Sequence, residues 1–167
     1  MLLHSGTSIN DSIVIDYIML DDDDGNIDNG SPHYADIAAG FGAHGLNAPA
    51  LALLSITAPD GLPDYVSPQG TSTVRINVSN LSGQFDEGSA RIFVGQNGSF
   101  DQFELDPDGG DLLAHFPAAL CGDGLQYYFA AGTTNGQTVY WPGDAPSMVH
   151  SVIAANGPPL VIYEENF

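Results

Sequence analysis

Thr73-Val74-Arg75-Ile76-Asn77-Val78-Ser79 changes from polar to apolar at every step. In an extended chain, successive side chains point to opposite faces, so Val74, Ile76 and Val78 share one face that must be buried. The stretch therefore reads as a half-buried strand, and its neighbours repeat the pattern. Leu51–Thr57 precedes it. Ala90–Val94, Phe100–Leu105, Leu112–Phe116, Leu125–Ala131 and Thr138–Trp141 follow, and a last strand spans Met148–Ile153. Between them stand the turn pairs Ser82-Gly83, Asn97-Gly98, Gly109-Gly110 and Gly122-Asp123, and Asn135-Gly136 is a hairpin signal. Short antiparallel strands at this spacing predict a mainly β chain, an immunoglobulin-like or fibronectin type III-like antiparallel sandwich, preceded by a short helical segment.

The residues before the strands have another texture. Ile13–Leu20 is an apolar run interrupted only by Asp16, and a helix and a buried strand fit it equally. Asp21-Asp22-Asp23-Asp24-Gly25-Asn26-Ile27-Asp28-Asn29-Gly30 follows, with no Lys or Arg nearby. Like charges this close either stay hydrated or share a hard cation. Asp22, Asp24, Asn26 and Asp28 place oxygen ligands at alternate positions, so calcium is the expected cofactor. The loop is not an EF-hand, because no register supplies both Gly at position 6 and Glu at position 12. Ser31-Pro32-His33-Tyr34 then reads as an N-capped helix with Pro first. Tyr34, Ile37, Ala38 and Phe41 form its apolar face.

The chain has 167 residues, 21 acidic side chains and only two basic ones, Arg75 and Arg91, for a formal net charge of −19. Nucleic acids and anionic membranes are thereby excluded as partners, since both require basic patches. Calcium-rich or salty extracellular surroundings suit the charge. The single cysteine, Cys121, allows no internal disulfide and reads as a small buried hydrophobe. No transmembrane run is present, and Met1-Leu2-Leu3 is too short for a signal peptide, so any export signal is expected outside this chain.

Two segments resemble parts of one protein family. Asp21 to Leu46, with its acidic Gly-Asn loop, Asn29-Gly30-Ser31-Pro32-His33-Tyr34 and the Phe41…His44-Gly45-Leu46 exit, resembles the last helix of thermolysin-like and fungalysin-like secreted zinc metallopeptidases. Val66-Ser67-Pro68, Phe116-Pro117-Ala118, Tyr127-Tyr128-Phe129-Ala130 and Ala145-Pro146 are similar to the fibronectin-like module that follows such peptidases in large secreted bacterial proteins. There a further domain often opens with a sequence like Glu164-Glu165-Asn166-Phe167. The resemblance implies that 1–48 is the end of a peptidase-like domain, 49–156 the sandwich, and 157–167 a linker and strand that completes the sandwich or opens the next domain. The His-Glu-x-x-His zinc helix of the family is absent. The resemblance thus implies an accessory region with no catalytic residues.

Other candidates are weaker. His33 and His44 lie ~16 Å apart if helical, too far to share a metal. Ser89, Ser147 and Ser151 lack a Gly-x-Ser-x-Gly context. The Asn-x-Ser sequences at Asn10, Asn77, Asn80 and Asn97 read as polar turns unless the source glycosylates them. Tyr128, Tyr140 and Trp141 lie on adjacent strands and are the candidate sugar-stacking residues, against the competing reading of a core aromatic cluster.

The expected function is a noncatalytic extracellular structural or interaction module of a secreted multidomain protein. Two alternatives stand beside it. One is a filament or surface-layer subunit joined by strand addition through Leu160–Tyr163 or Ile13–Leu20. The other is a carbohydrate-binding module. The expected partners are other domains of a larger precursor, copies of the chain, or glycans.

Overall fold

In the computed structural model, which describes residues 9–157, the apolar run is a helix, α1 (Ser12–Asp21). Its buried residues, Val14 and Ile18, are four apart, and Asp16, which a strand would place on their face, is only half-buried, as a helix requires. Near its start, Asn10 Oδ1 accepts from the Ser12 amide at 3.0 Å and from the Ser12 hydroxyl at 2.6 Å. The second helix, α2 (Tyr34–Gly42), begins later than the Ser31-Pro32 signal predicts. Pro32 and His33 form a turn, closed by the Tyr34 N–H donating to the Ser31 carbonyl at 3.0 Å. A carboxylate from the end of α1 takes over the capping: the His33 N–H donates to Asp21 Oδ2 at 2.7 Å. On α2 the expected face holds, since Tyr34, Ile37, Ala38 and Phe41 are half-buried and the rest exposed. Its partner is α1, with the Tyr17 and Phe41 rings 5.1 Å apart.

The contact pattern divides the chain into two units. One comprises residues up to Leu53 together with Leu81–Gly83; the other comprises Leu54–Asn80 and the described residues from Gln84 onward. Within the first unit the Ala52 N–H donates to the Asp28 carbonyl, and the Leu81 and Gly83 amides donate to the Leu53 carbonyl.

The second unit is the antiparallel sandwich. Its strands are β1 (Leu54–Thr57), β2 (Tyr65–Val66), β3 (Thr73–Asn80), β4 (Arg91–Gln96), β5 (Ser99–Glu104), β6 (Asp106–Asp108), β7 (Asp111–His115), β8 (Gly124–Gly132), β9 (Thr138–Trp141) and β10 (His150–Ala154). A four-stranded sheet runs β1-β3-β7-β6. A six-stranded sheet runs β2-β10-β8-β4-β5, with β9 also pairing to β8. All pairs are antiparallel except β10–β2. This is the strand order of an immunoglobulin-like sandwich.

Val74 and Ile76 are buried as their alternation predicts, while Val78 is only half-buried, and the core also holds Ile92, Val94, Ala114, Phe116, Leu125, Tyr127, Phe129 and Val152. Strand β6 has no sequence signal, because Pro107 argues against a strand. It survives as an edge strand, where the missing N–H interrupts no inner ladder. Leu51–Leu53, expected in the first strand, belong to the first unit instead. Cys121 corrects the buried-hydrophobe expectation: it is exposed. The turn before β8 is pinned by the Leu120 N–H donating to Asp123 Oδ2 at 3.0 Å and by the Gly122 N–H donating to the Ala154 carbonyl at 2.8 Å. Such a tight surface turn leaves Cys121 no core to enter. His4, the Leu160–Tyr163 strand and the Glu164–Phe167 segment lie outside the described residues. Among the described residues, no helix is long and apolar enough to cross a membrane.

Candidate functional site

Residues 21–33 organise around carboxylates that accept local backbone hydrogen bonds. Asp22 Oδ2 accepts from the Gly25 N–H at 2.7 Å, and Gly25 has φ +84°, the left-handed conformation glycine tolerates. Asp24 accepts from the Asn26 N–H at 2.9 Å and from the Asn29 side chain at 2.8 Å. The Asn29 bond and then the Asn26 amide hold the Asp24 carboxyl below its ordinary value. Asn26 Oδ1 in turn accepts from the Asp28 N–H at 3.3 Å. The bonds of Asp24 to Asn26 and of Asn26 to Asp28 are Asx turns, the local chemistry that favours Asp and Asn in loops.

Of the four residues expected to ligate calcium, Asp22 and Asp24 come together, joined by Asp23. The ligand atoms of these three aspartates lie within 4.8 Å of one another. Asp28 stands outside that group, and Asn26 acts as a cap. Asp22 Oδ1 is buried and has no hydrogen-bond partner. Asp23 escapes the alternate-position rule because the loop is a tight turn and not an extended ligand ladder.

Sequence reasoning also missed the pairing of Asp21 with His33. Besides the backbone bond, Asp21 Oδ1 lies 2.7 Å from His33 Nδ1. Their hydrogen bond raises the pKa of His33 above its ordinary 6.5 and lowers that of Asp21 below 3.8. His150, on β10, behaves oppositely. Its ring packs 4.8 Å from Trp141 and 5.3 Å from Tyr127, its Nε2 is buried without a partner, and burial lowers its pKa.

Two opposite pH responses are expected. A raised His33 stabilises its contact below pH 6.5 and loses that contribution as pH rises through the higher folded value. A lowered Asp21 contributes above pH 3.8 and loses its share as pH falls through the lower folded value. The pair is therefore strongest between pH 3.8 and 6.5. His150 is held neutral, so its environment costs stability as pH falls below 6.5. NMR titration should place His33 above 6.5 and His150 below it, and Asp21→Asn should bring His33 down while leaving His150 fixed. A His33 midpoint indifferent to Asp21→Asn would contradict the pairing.

The strand register separates the three aromatic candidates. On β8, Leu125, Tyr127 and Phe129 face the core, so Tyr128 faces outward. Tyr140 pairs with Ala130 and shares that outer face; Trp141 pairs with Phe129 and lies on the inner one, its ring 5.6 Å from Phe129. The three cannot form one stacking platform. Tyr128 itself is 7% exposed and Tyr140 39%. Tyr128 is covered by Phe93, stacked on it at 4.6 Å, and by Phe100, edge-on at 5.1 Å. Phe93 and Phe100 had no sequence signal as partners of Tyr128, since only register brings them together.

Several other polar side chains are occupied. The Ser89 hydroxyl donates to the Asp86 carbonyl at 2.6 Å and accepts from the Gly132 N–H at 2.7 Å. Arg75 lies 3.0 Å from Asp108, 3.4 Å from Asp60 and 3.6 Å from Asp111. His115 Nε2 is 3.2 Å from Asp106.

No protein-family model matches this chain, and no curated protein matches it. Similar solved structures exist. One is a crystal structure of an engineered protein, 23% identical, TM-score 0.41, matched over 66% of this chain and 21% of its own. Another is a Cellulomonas fimi endo-beta-1,4-mannanase double mutant, 21% identical, TM-score 0.36, matched over 64% of this chain and 19% of its own. The chain thus spans about a fifth of the length of each.

Proposed function

We propose that this chain is a noncatalytic structural and interaction module of a secreted multidomain protein, acting outside the cell or at its surface. The observation that carries the reading is the use made of its reactive side chains. Ser89 clamps two backbone segments, Asp21 caps α2 and holds His33, and Asp106, Asp108 and Asp111 face His115 or Arg75. A hydrolytic site needs a nucleophile or activated water beside a base that is free to take its proton. These groups instead support loops and strands. The high negative charge suits extracellular, calcium-containing surroundings.

Calcium at Asp22, Asp23 and Asp24 belongs to the same proposal. A hard cation would neutralise three crowded carboxylates and satisfy the orphaned Asp22 Oδ1. A ligand that binds only the folded loop stabilises it by mass action. The purified 167-residue chain is expected to leave casein intact with or without zinc, and to melt at a higher temperature in millimolar calcium than in chelator at matched ionic strength. Zinc-dependent cleavage that disappears in His33→Ala would overturn the noncatalytic reading. Equal melting temperatures would overturn the calcium one.

A further inference from the structure

The outer face of the six-stranded sheet carries an open groove of about 780 Å³. That volume falls within the range of small-molecule sites, roughly 300–1,000 Å³. Its lining draws on four strands: Ser151 on β10, Gln126 on β8, Gln96 at the end of β4 and Phe100 on β5. Ser151 on β10 stands opposite Gln126 on β8, Gln126 opposite Gly95 on β4, and Gly95 opposite Phe100 on β5. The neighbouring position on β8, Gly124, faces the same way. Asp64, beside β2, lies among the lining residues and is the one charged group there.

Of the two glycines, Gly95 is covered by the β4–β5 hairpin and only Gly124 lines the groove. A side chain at Gly95 would overlap the Ser99 carbonyl, so the fold itself demands glycine. At Gly124 nothing lies within 4 Å of where a Cβ would stand, and the space above it is groove. Phe100 forms a firm wall. Its ring is set edge-on against Tyr128, which lies within 2° of parallel to Phe93.

The lining chemistry narrows the ligand. Arg75 and Arg91 are the only basic residues of the chain; neither lines the groove, and both sit beside carboxylates. With a net charge of −19, phosphate, sulfate and uronate groups are repelled. An added peptide strand is disfavoured too. The groove lies on the face of the sheet, where backbone groups already pair within the ladders, whereas strand addition needs an open edge. What remains is the amides of Gln96, Asn97 and Gln126, the hydroxyls of Ser147 and Ser151 and the Asp64 carboxylate. Beside them stand the Phe100 ring and aliphatic side chains such as Val149 and Ile153. Amides and carboxylates hydrogen-bond neutral hydroxyls, and an aromatic face packs against the C–H side of a sugar ring.

We propose that this groove binds a neutral oligosaccharide chain, with a sugar face against Phe100 and hydroxyls on Gln126, Ser151 and Asp64. This rests on the noncatalytic module reading and gives that module a ligand class. The site is displaced from Tyr128, Tyr140 and Trp141, the sugar-stacking candidates of the sequence, with Phe100 supplying the ring.

The test titrates the full chain calorimetrically with cellohexaose, xylohexaose and maltohexaose. Hexagalacturonate and hexalysine serve as anionic and cationic comparators. At least one neutral hexasaccharide should bind with a submillimolar Kd, and the comparators should bind at least tenfold more weakly. Gly124→Phe, whose Cβ would meet nothing within 4 Å and whose ring would enter the groove, should weaken binding at least tenfold while the melting temperature holds. Gln126→Ala should also weaken it, which keeps the test alive if the bulkier variant misfolds. Absence of binding to all three neutral sugars, preferential binding of hexalysine, or full affinity in both variants would overturn the proposal. Recovery of shorter sugars after incubation would overturn the noncatalytic reading instead, so the two failures are told apart in one sample.

Discussion

Phe129→Ala is expected to destabilise the sandwich by about 3–5 kcal/mol, the range for emptying an aromatic core position. Phe129 is 1% exposed at the middle of β8 and faces the core between the two neighbours it pairs with, Ile92 and Trp141. Its ring meets Tyr127 at 5.8 Å and 83°, stacks on Trp141 at 5.6 Å and lies 6.4 Å from His150. Removing it would leave a void where β9 and β10 share the edge of β8, and neither short strand has neighbours enough to close it. For a chain of this size the loss corresponds to a fall in melting temperature on the order of 10 °C. Tyr140→Ala is the control: it sits on the opposite face, is 39% exposed, and should cost about 1 kcal/mol or less. Differential scanning calorimetry of both variants decides. Equal shifts would mean that the faces of β8 and β9 have been assigned the wrong way round.

That assignment marks the boundary of what the sequence alone could provide. The strands were legible because alternation is a property of each segment by itself; Thr138–Trp141 falls where its pattern places it. Register is a property of two segments, and no single segment encodes it. For that reason the pairing of Phe93 with Tyr128, and which of Tyr140 and Trp141 faces outward, emerged only from the fold. The same holds for the groove, whose lining joins residues from four strands.

The acidic loop shows the complementary failure. Its composition announced a carboxylate cluster, but the alternate-position rule presumed an extended ligand set. The Asp22 bond to Gly25 and the Asx turns at Asp24 and Asn26 instead bring consecutive aspartates together. The start of α2 moved for a related reason. Ser31 and Pro32 are good local signals, yet Asp21, twelve residues back, supplies the hydrogen bond that fixes the entry. A helix cap recruited from another element leaves no mark on the helix's own sequence. Within Ile13–Leu20, the nearly continuous apolar run hid a helical period, which shows only in the burial of Val14 and Ile18 without Asp16 between them.

Glycine positions supply the second large effect, and its sign differs between two residues on one sheet face. Strands β4 and β5 are joined through Asn97 and Gly98, with φ of 54° and 80°. A two-residue turn with both φ values positive is the hairpin geometry that matches strand twist. It draws Ser99 back over Gly95 so closely that a Cβ there would overlap the Ser99 carbonyl. Because the obstacle is backbone, relief requires the hairpin to open. Gly95→Ala should therefore cost about 3 kcal/mol, the upper end of the range for overpacking. Gly124→Ala meets nothing within 4 Å and needs no unusual φ, so it should be neutral or stabilise by about 0.4–1 kcal/mol through a less flexible unfolded chain. Urea denaturation of the two single variants measures both. If Gly95→Ala proves as harmless as Gly124→Ala, then the β4–β5 turn does not approach β4 as described, and the wall that Phe100 builds over the groove is misplaced with it.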